Sequence, residues 1–272
     1  MQSDRPEDPT PTPAPVVPAP VRDPMPPAPS FPYSYEHSIR RHAADAPRRS
    51  LISRILRVLV IIALIPILLT PLYLVVPPVS TLMLWRYVTF QRVEREWKPI
   101  SEISPALVRA VIAGEDGRFC MHSGVDWREV QNALDDADDI GDARGASTIP
   151  MQTAKNLFLW PGRQFIRKAL EVPLAIYMSA LWPKHRMLEI YLNIAEWGPD
   201  GEFGAEAAAR RAFNKSARDL TPEEAALLAG ALPNPHVRHP GRPGPQLLRA
   251  AGTRQRLANS NGPTAASCVL SR

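Results

Sequence analysis

Between residues 115 and 171 the chain gathers carboxylates, amides and cations at spacings suited to chemistry on an anion. Glu115 and Asp116 follow an apolar run and precede a turn at Gly117. A glutamate carboxylate is ionised at neutral pH and can accept a proton. Alone, such a pair reads as a solvated turn. Farther on, Ser147, Gln152, Lys155 and Asn156 mark a loop running into a helix, with Pro150 suited to its first turn. Gln152, Lys155 and Asn156 fall at i, i+3 and i+4, and side chains on a helix lean toward its N-terminus. The ammonium, the amide, the Ser147 hydroxyl and free backbone N–H groups at the helix start are expected to converge on an anion such as phosphate. Arg163, Arg167, Lys168 and Glu171 come next. Arg167 and Glu171 at i, i+4 could be a surface ion pair worth a few tenths of a kcal/mol. With three cations so near the previous cluster, a polyanionic ligand is the competing reading.

The elements that must hold these groups read as helices. Ser104 caps a helix with Pro105 at its first position. Thr221-Pro222-Glu223-Glu224 is a capping box ahead of another. Over 184–197 the spacing puts Met187, Leu188, Tyr191, Leu192 and Ala195 on one face, with Glu189, Asn193 and Glu196 on another. Strand signals are weak, and 135–145 reads as an acidic loop.

The 272 residues carry 32 Lys+Arg against 27 Asp+Glu, a formal charge of +5. Of 31 prolines, 12 lie in the first 32 positions, and residues 1–36 lack the apolar periodicity to bury a core. From Val58 to Val79 there are 22 residues without a charge. As a helix they would rise about 33 Å, enough to cross a bilayer. Pro66 and Pro71 inside it are tolerated where neighbours satisfy the freed carbonyls. The run is too long and too far from the start for a cleaved signal peptide. Arg40, Arg41, Arg48, Arg49, Arg54 and Arg57 precede it, while Arg86, Arg92, Arg95 and Lys98 follow. That bias favours a cytoplasmic N-terminus. Two cysteines exclude a multi-disulfide scaffold, and His236 with His239 has no cysteine nearby to build a metal site. No nucleic-acid motif accompanies the basic balance.

Taken together, the clusters resemble glycosyltransferase family 51, the peptidoglycan glycosyltransferases, and its monofunctional biosynthetic branch in particular. ED-x-x-F-x-x-H-x-G matches Glu115, Asp116, Phe119, His122 and Gly124. G-x-STI-x-x-Q-x-x-KN matches Gly145, Ser147, Thr148, Ile149, Gln152, Lys155 and Asn156. RK-x-x-E matches Arg167, Lys168 and Glu171, and K-x-x-I-x-E-x-Y-x-N matches Lys184, Glu189, Tyr191 and Asn193, with Met187 at the Ile position. The likeness runs from about Trp85 to Pro240. No Ser-x-x-Lys occurs, so a penicillin-binding transpeptidase domain is not expected.

The resemblance implies a mostly α, lysozyme-like domain with a small jaw lobe, preceded by one transmembrane helix. The organisation it suggests is a disordered Pro-rich cytoplasmic tail (1–50), an anchor (51–80), the glycosyltransferase domain (85–245) and a C-terminal tail (246–272). The implied reaction joins lipid II to a growing lipid-linked glycan through a β-1,4 bond, releasing undecaprenyl pyrophosphate. Glu115 is the implied general base and Glu171 the second essential carboxylate. Lys155, Arg163, Arg167 and Lys168 are the cations for the pyrophosphate, with Ser147, Gln152 and Asn156 as neutral donors. Asp116, Phe119 and His122 are expected to shape the loop, Glu189 and Asn193 to be structural, and Cys120 simply to pack. No cofactor is required, though a divalent ion could assist the pyrophosphate. The implied setting is the bacterial inner membrane with the domain in the periplasm, among other wall-synthesis proteins. A glycan-cutting hydrolase of the same fold needs an acid but not the cations. A non-catalytic scaffold needs neither.

Overall fold

The computed structural model describes residues 34–135, 147–160, 162 and 165–271. The acidic loop lies, from 136 onward, outside the described residues, as do Gly145, Arg163 and positions 1–33. The chain divides into two units, 1–57 and Val58–Arg272. In the first, the described residues form the N-terminal part of helix α1 (Ser34–Leu72). The rest of α1 belongs to the second.

Within α1, Leu51–Leu72 has a mean hydropathy of 2.6 and stays exposed along nearly all its length. Among the described residues it is the one helix long and apolar enough to cross a membrane. Its 22 residues rise about 33 Å. The helix stops at Leu72 rather than running on through the uncharged stretch to Val79, where Pro77 and Pro78 cannot propagate it. Pro71 lacks the N–H that would bond Ile67 O. The Tyr177 hydroxyl donates to that carbonyl instead, at 2.9 Å. Trp182 Nε1 donates to Thr70 O at 2.8 Å, and Arg186 donates to the carbonyls of Tyr73 and Val76. The foot of α1 is thus hydrogen-bonded into the helical domain.

Beyond it come α2 (Thr81–Val88), α3 (Pro105–Glu115), α4 (Trp127–Asp135), α5 (Ile149–Phe158), α6 (Phe165–Leu181) and α7 (Lys184–Ile194). Then follow α8 (Ala205–Phe213), α9 (Pro222–Ala231), α10 (Pro245–Ser260) and the short α11 (Gly262–Ala265) and α12 (Ser267–Leu270). Strands are confined, among the described residues, to a parallel pair of two residues each, β1 (Glu94–Arg95) and β2 (Glu202–Phe203). The expected caps form. Ser104 accepts from Ala106 N ahead of Pro105, and Thr221 with Glu224 closes the capping box of α9.

α7 departs from the amphipathic reading: it is buried on every side from Arg186 to Ile194. Its polar residues survive there because backbone groups and an ion pair satisfy them. Glu189 accepts from Ile100 N at 2.8 Å and pairs with Arg186, and Asn193 exchanges two bonds of 2.8 Å with the backbone of Lys98. α7 packs against α5 on one side and carries Leu188, Ile190 and Tyr191 into the main core with Leu107, Ile112 and Phe119.

Residues 246–272, set apart in the sequence as a tail, are helical through Leu270 and packed. Leu247, Ala251 and Ala258 of α10 are buried, as are Ala266 and Val269. α10 lies along α9 and α3, which brings it to the end of the helix that carries Glu115.

Candidate active site

Glu115 is the last residue of α3, and its side chain is only 10% exposed. One carboxylate oxygen accepts from Gln152 Nε2 at 3.2 Å and the other from Arg254 Nη2 at 3.1 Å. The Gln152 carbonyl in turn accepts from the Tyr191 hydroxyl at 3.0 Å, which fixes the amide's orientation. Tyr191 is fully buried, and burial pushes its phenol well above the usual range. It therefore stays a donor. Arg254 comes from α10, beyond the last family motif, and sequence reading passed it over. The signal was there: Gly244-Pro245 opens a helix whose Leu247, Ala251 and Ala258 repeat at helical spacing. Gly114 makes room for it, since a Cβ there would lie 2.4 Å from Arg254 Nε.

Asp116, His122 and Lys184 build the turn after Glu115. Asp116 sits with one oxygen 2.9 Å from His122 Nε2, and its other oxygen accepts from Ile149 N at 2.9 Å. Lys184 donates to the carbonyls of Phe119 and His122 and lies 4.3 Å from the centroid of the Phe119 ring. Burial pulls the Lys184 ammonium below the ordinary lysine range. Gly124 adopts φ +101°, and a Cβ there would press within 2.8 Å of Ala175 O. Its carbonyl accepts from the Thr148 hydroxyl at 2.6 Å. The first, second and fourth motifs are in this way one connected structure.

This arrangement corrects one expectation. The amides at the start of α5 are not open to an external anion. Ile149 N bonds Asp116, Met151 N bonds Thr148 Oγ1, Gln152 N bonds Thr148 O, and Pro150 has no N–H. The negative charge favoured at that helix end is the protein's own Asp116.

The cations gather one turn along α5. Lys155 and Asn156 line a cavity of about 370 Å³ together with Gln152, Arg167, Tyr191 and Ser80. Burial lowers the Lys155 pKa. Glu171 and Glu115 oppose that shift, and Arg167 and Lys168 add to it, so all five charges lie within one field. Glu171 is 2% exposed and bound by both cations of its motif. Arg167 donates to one oxygen, and Lys168 Nζ is 3.2 Å from the other. Lys168 also donates to the Ser147 hydroxyl. Arg167 keeps a buried Nε without a hydrogen-bond partner. Glu115 itself lines a second cavity, of about 170 Å³, with Asp116, Arg118, Glu129 and Ser147. The structure thus brings together all the described site residues expected from the sequence.

Both Glu171 oxygens are engaged by cations, and the described residues hold no cluster of three His, Cys, Asp or Glu side chains able to ligate a metal ion.

Cys120 does more than pack: it forms a disulfide with Cys268 across 148 residues. These are the chain's two cysteines, and that parity was the signal.

A buried carboxylate beside a cluster of cations is the equipment of an enzyme that moves a group off an anionic leaving group. The chain belongs to the transglycosylase family, whose model matches residues 84–259. It is 57% identical over 190 residues to a biosynthetic peptidoglycan transglycosylase of Nitrobacter hamburgensis, covering 70% of this chain and 84% of that one. A protein of the same name in Agrobacterium fabrum is 51% identical over 224 residues, 82% of this chain and 98% of the relative. Another, in Brucella suis, is 51% identical over 210 residues, 76% and 93%.

Proposed function

We propose that Glu115 is the general base of a peptidoglycan glycosyltransferase that polymerises lipid II into β-1,4-linked glycan, releasing undecaprenyl pyrophosphate. The observation that carries this is the Glu115–Gln152 contact, which sets a carboxylate beside the helix face bearing Lys155. The acceptor's 4-hydroxyl enters the smaller cavity and gives its proton to Glu115 as its oxygen attacks the anomeric carbon. Attack opposite to the departing α-linked pyrophosphate inverts that carbon in a single displacement. The leaving group gains charge as its bond breaks, and fixed cations stabilise that charge without reorganising. Lys155, Arg167 and Lys168 face it, with Asn156 and Ser147 as neutral donors, and Arg163, outside the described residues, is assigned to the same anion from its place in the sequence. Two cations on the one carboxylate of Glu171, with Lys155 in the same field, support an anion here. Glu171 acts through Arg167 and Lys168, holding both in place. Gln152 orients Glu115 rather than touching the pyrophosphate.

The enzyme is anchored by Leu51–Leu72 in the bacterial inner membrane, N-terminus in the cytoplasm and domain outside. The arginines in and before the first turns of that helix, Arg40 to Arg57, support that orientation. So does the disulfide, since such bonds persist in oxidising compartments. Other wall-synthesis proteins are its expected partners.

The test is Glu115→Gln in purified full-length protein. Glutamine keeps the shape and cannot take the proton, so polymerisation of labelled lipid II falls at least about a hundredfold, within the range general-base catalysis supplies. The melting temperature stays near wild type. A well-folded variant that polymerises at a substantial fraction of the wild-type rate would refute the assignment.

A further inference from the structure

The Cys120–Cys268 bond joins two regions that both bear on Glu115. Cys120 lies in the helical turn Phe119–Met121, between Glu115 and the carbonyl of His122 that Lys184 holds. Cys268 lies in α12, a helix of four residues. So short a helix has no cooperative stability of its own. α12 packs on α7 and α11 packs on α3, the two helices that carry Lys184 and Glu115. Cys268 N also donates to Cys120 Sγ at 3.3 Å. α10, just before them, supplies Arg254. The segment from α10 to α12 is therefore fixed to the catalytic turn twice: by the Arg254–Glu115 pair and by a covalent bond five residues past Glu115.

We infer that this disulfide is a positioning tether for Glu115, and that it makes turnover depend on oxidation of the Cys120–Cys268 pair. It locks the turn after the carboxylate to the C-terminal helices and so keeps Arg254 in register with Glu115. The inference rests on the role proposed for Glu115. Forming the bond converts two thiols to one disulfide with loss of two protons and two electrons. A disulfide-bearing oxidant accepts them, and its own disulfide becomes two thiols. Both cysteines are half-buried at the edge of the core. A chain whose pair is still reduced would be folded but slow, and oxidation outside the cytoplasm would complete it.

The experiment compares oxidised, reduced and reoxidised full-length protein in detergent, with thiols titrated and melting recorded for each. Turnover of labelled lipid II is measured well below the melting temperature. With two thiols free, kcat is expected to fall about tenfold, the scale of a sub-ångström to ångström misplacement. KM is expected to stay within about twofold and reoxidation to restore the rate. Cys268→Ser should behave as the reduced protein in either redox state. A purely structural staple would lower the melting temperature and leave kcat unchanged, and that result overturns the tether. Hydrogen exchange on the same samples gives a readout independent of chemistry. Amides of residues 116–122 should exchange faster on reduction, and unchanged protection overturns the proposal. If the oxidised protein fails to turn over lipid II, the reading of Glu115 falls, while the exchange result still decides the tether.

Discussion

The two sides of the site are finished differently. At Glu115 each carboxylate oxygen already accepts a hydrogen bond from the protein, one from Gln152 and one from Arg254. At the other side, Arg167 and Lys168 share the single carboxylate of Glu171, Lys155 lies in the same field, and a buried Arg167 Nε has no partner. On one side a single cation meets a single carboxylate, Arg254 with Glu115, and the buried Arg254 Nε is unpartnered too; on the other side the cations outnumber the carboxylate. A charge paired one to one holds a geometry, whereas cations in excess of their carboxylate favour an added anion. The Glu115 side is therefore built to be aimed, and the cationic side to be filled.

Removing charge from the side waiting to be filled should break the comparison most sharply. Lys155→Ala should lower lipid II turnover by roughly two orders of magnitude, since each 1.36 kcal/mol of lost transition-state stabilisation is tenfold. Its melting temperature should hold, because burial already disfavours the charged lysine. Arg167→Ala should lose as much turnover and also melt earlier, because it strands the buried Glu171 with Lys168 alone. Near wild-type turnover in both would reduce the cluster to surface charge.

On the side built to be aimed, the expected loss is smaller. Arg254→Ala leaves Glu115 in place and releases one of its two bonds, so turnover should fall about tenfold. Arg254→Lys should recover part of it. An unchanged rate in Arg254→Ala would mean that Gln152 alone sets the carboxylate.

pH separates activity from stability at Lys155. Its pKa in the fold lies below the ordinary lysine value, mainly through burial. Turnover should therefore decline on the alkaline side before an ordinary lysine would lose its proton. In the window between the folded and unfolded pKa values the unfolded chain binds more protons, so stability rises with pH while activity falls. Lys155→Arg should push the alkaline limb upward at a lower maximal rate, because a guanidinium stays charged but does not replace a compact ammonium. A limb that does not move would assign it to another group.

The smallest effect is a control at a helix start that carries no site residue. Thr221→Ala removes the capping box of α9 and should cost about 1 kcal/mol of stability with no change in turnover.

How much of this was legible in the sequence depended on range. Local signals worked: Ser104-Pro105 and Thr221 to Glu224 announce their helices because caps are set by neighbours a few residues apart. The cationic motif was legible because Arg167, Lys168 and Glu171 share one helix. What pairs across the chain was not. Arg254 sits 139 residues from the carboxylate it holds, and only the packing of α10 on α3 brings the two together. Cys120 and Cys268, 148 residues apart, were marked only by being the two cysteines of the chain. α7 read as amphipathic because Glu189 and Asn193 are polar, yet distant backbone groups satisfy both in the interior. The anion at the start of α5 was foreseen as a ligand, and it is Asp116, 33 residues upstream of the amide it accepts from.

The most direct test of the whole account is to offer purified full-length protein two substrates in parallel, labelled lipid II and intact sacculi. The account predicts that lipid II is consumed into glycan strands that a muramidase cuts back to disaccharide units, with undecaprenyl pyrophosphate released and sacculi untouched. Lipid II left unchanged while sacculi are cut would contradict it, and would make Glu115 the acid of a hydrolase rather than the base of a polymerase.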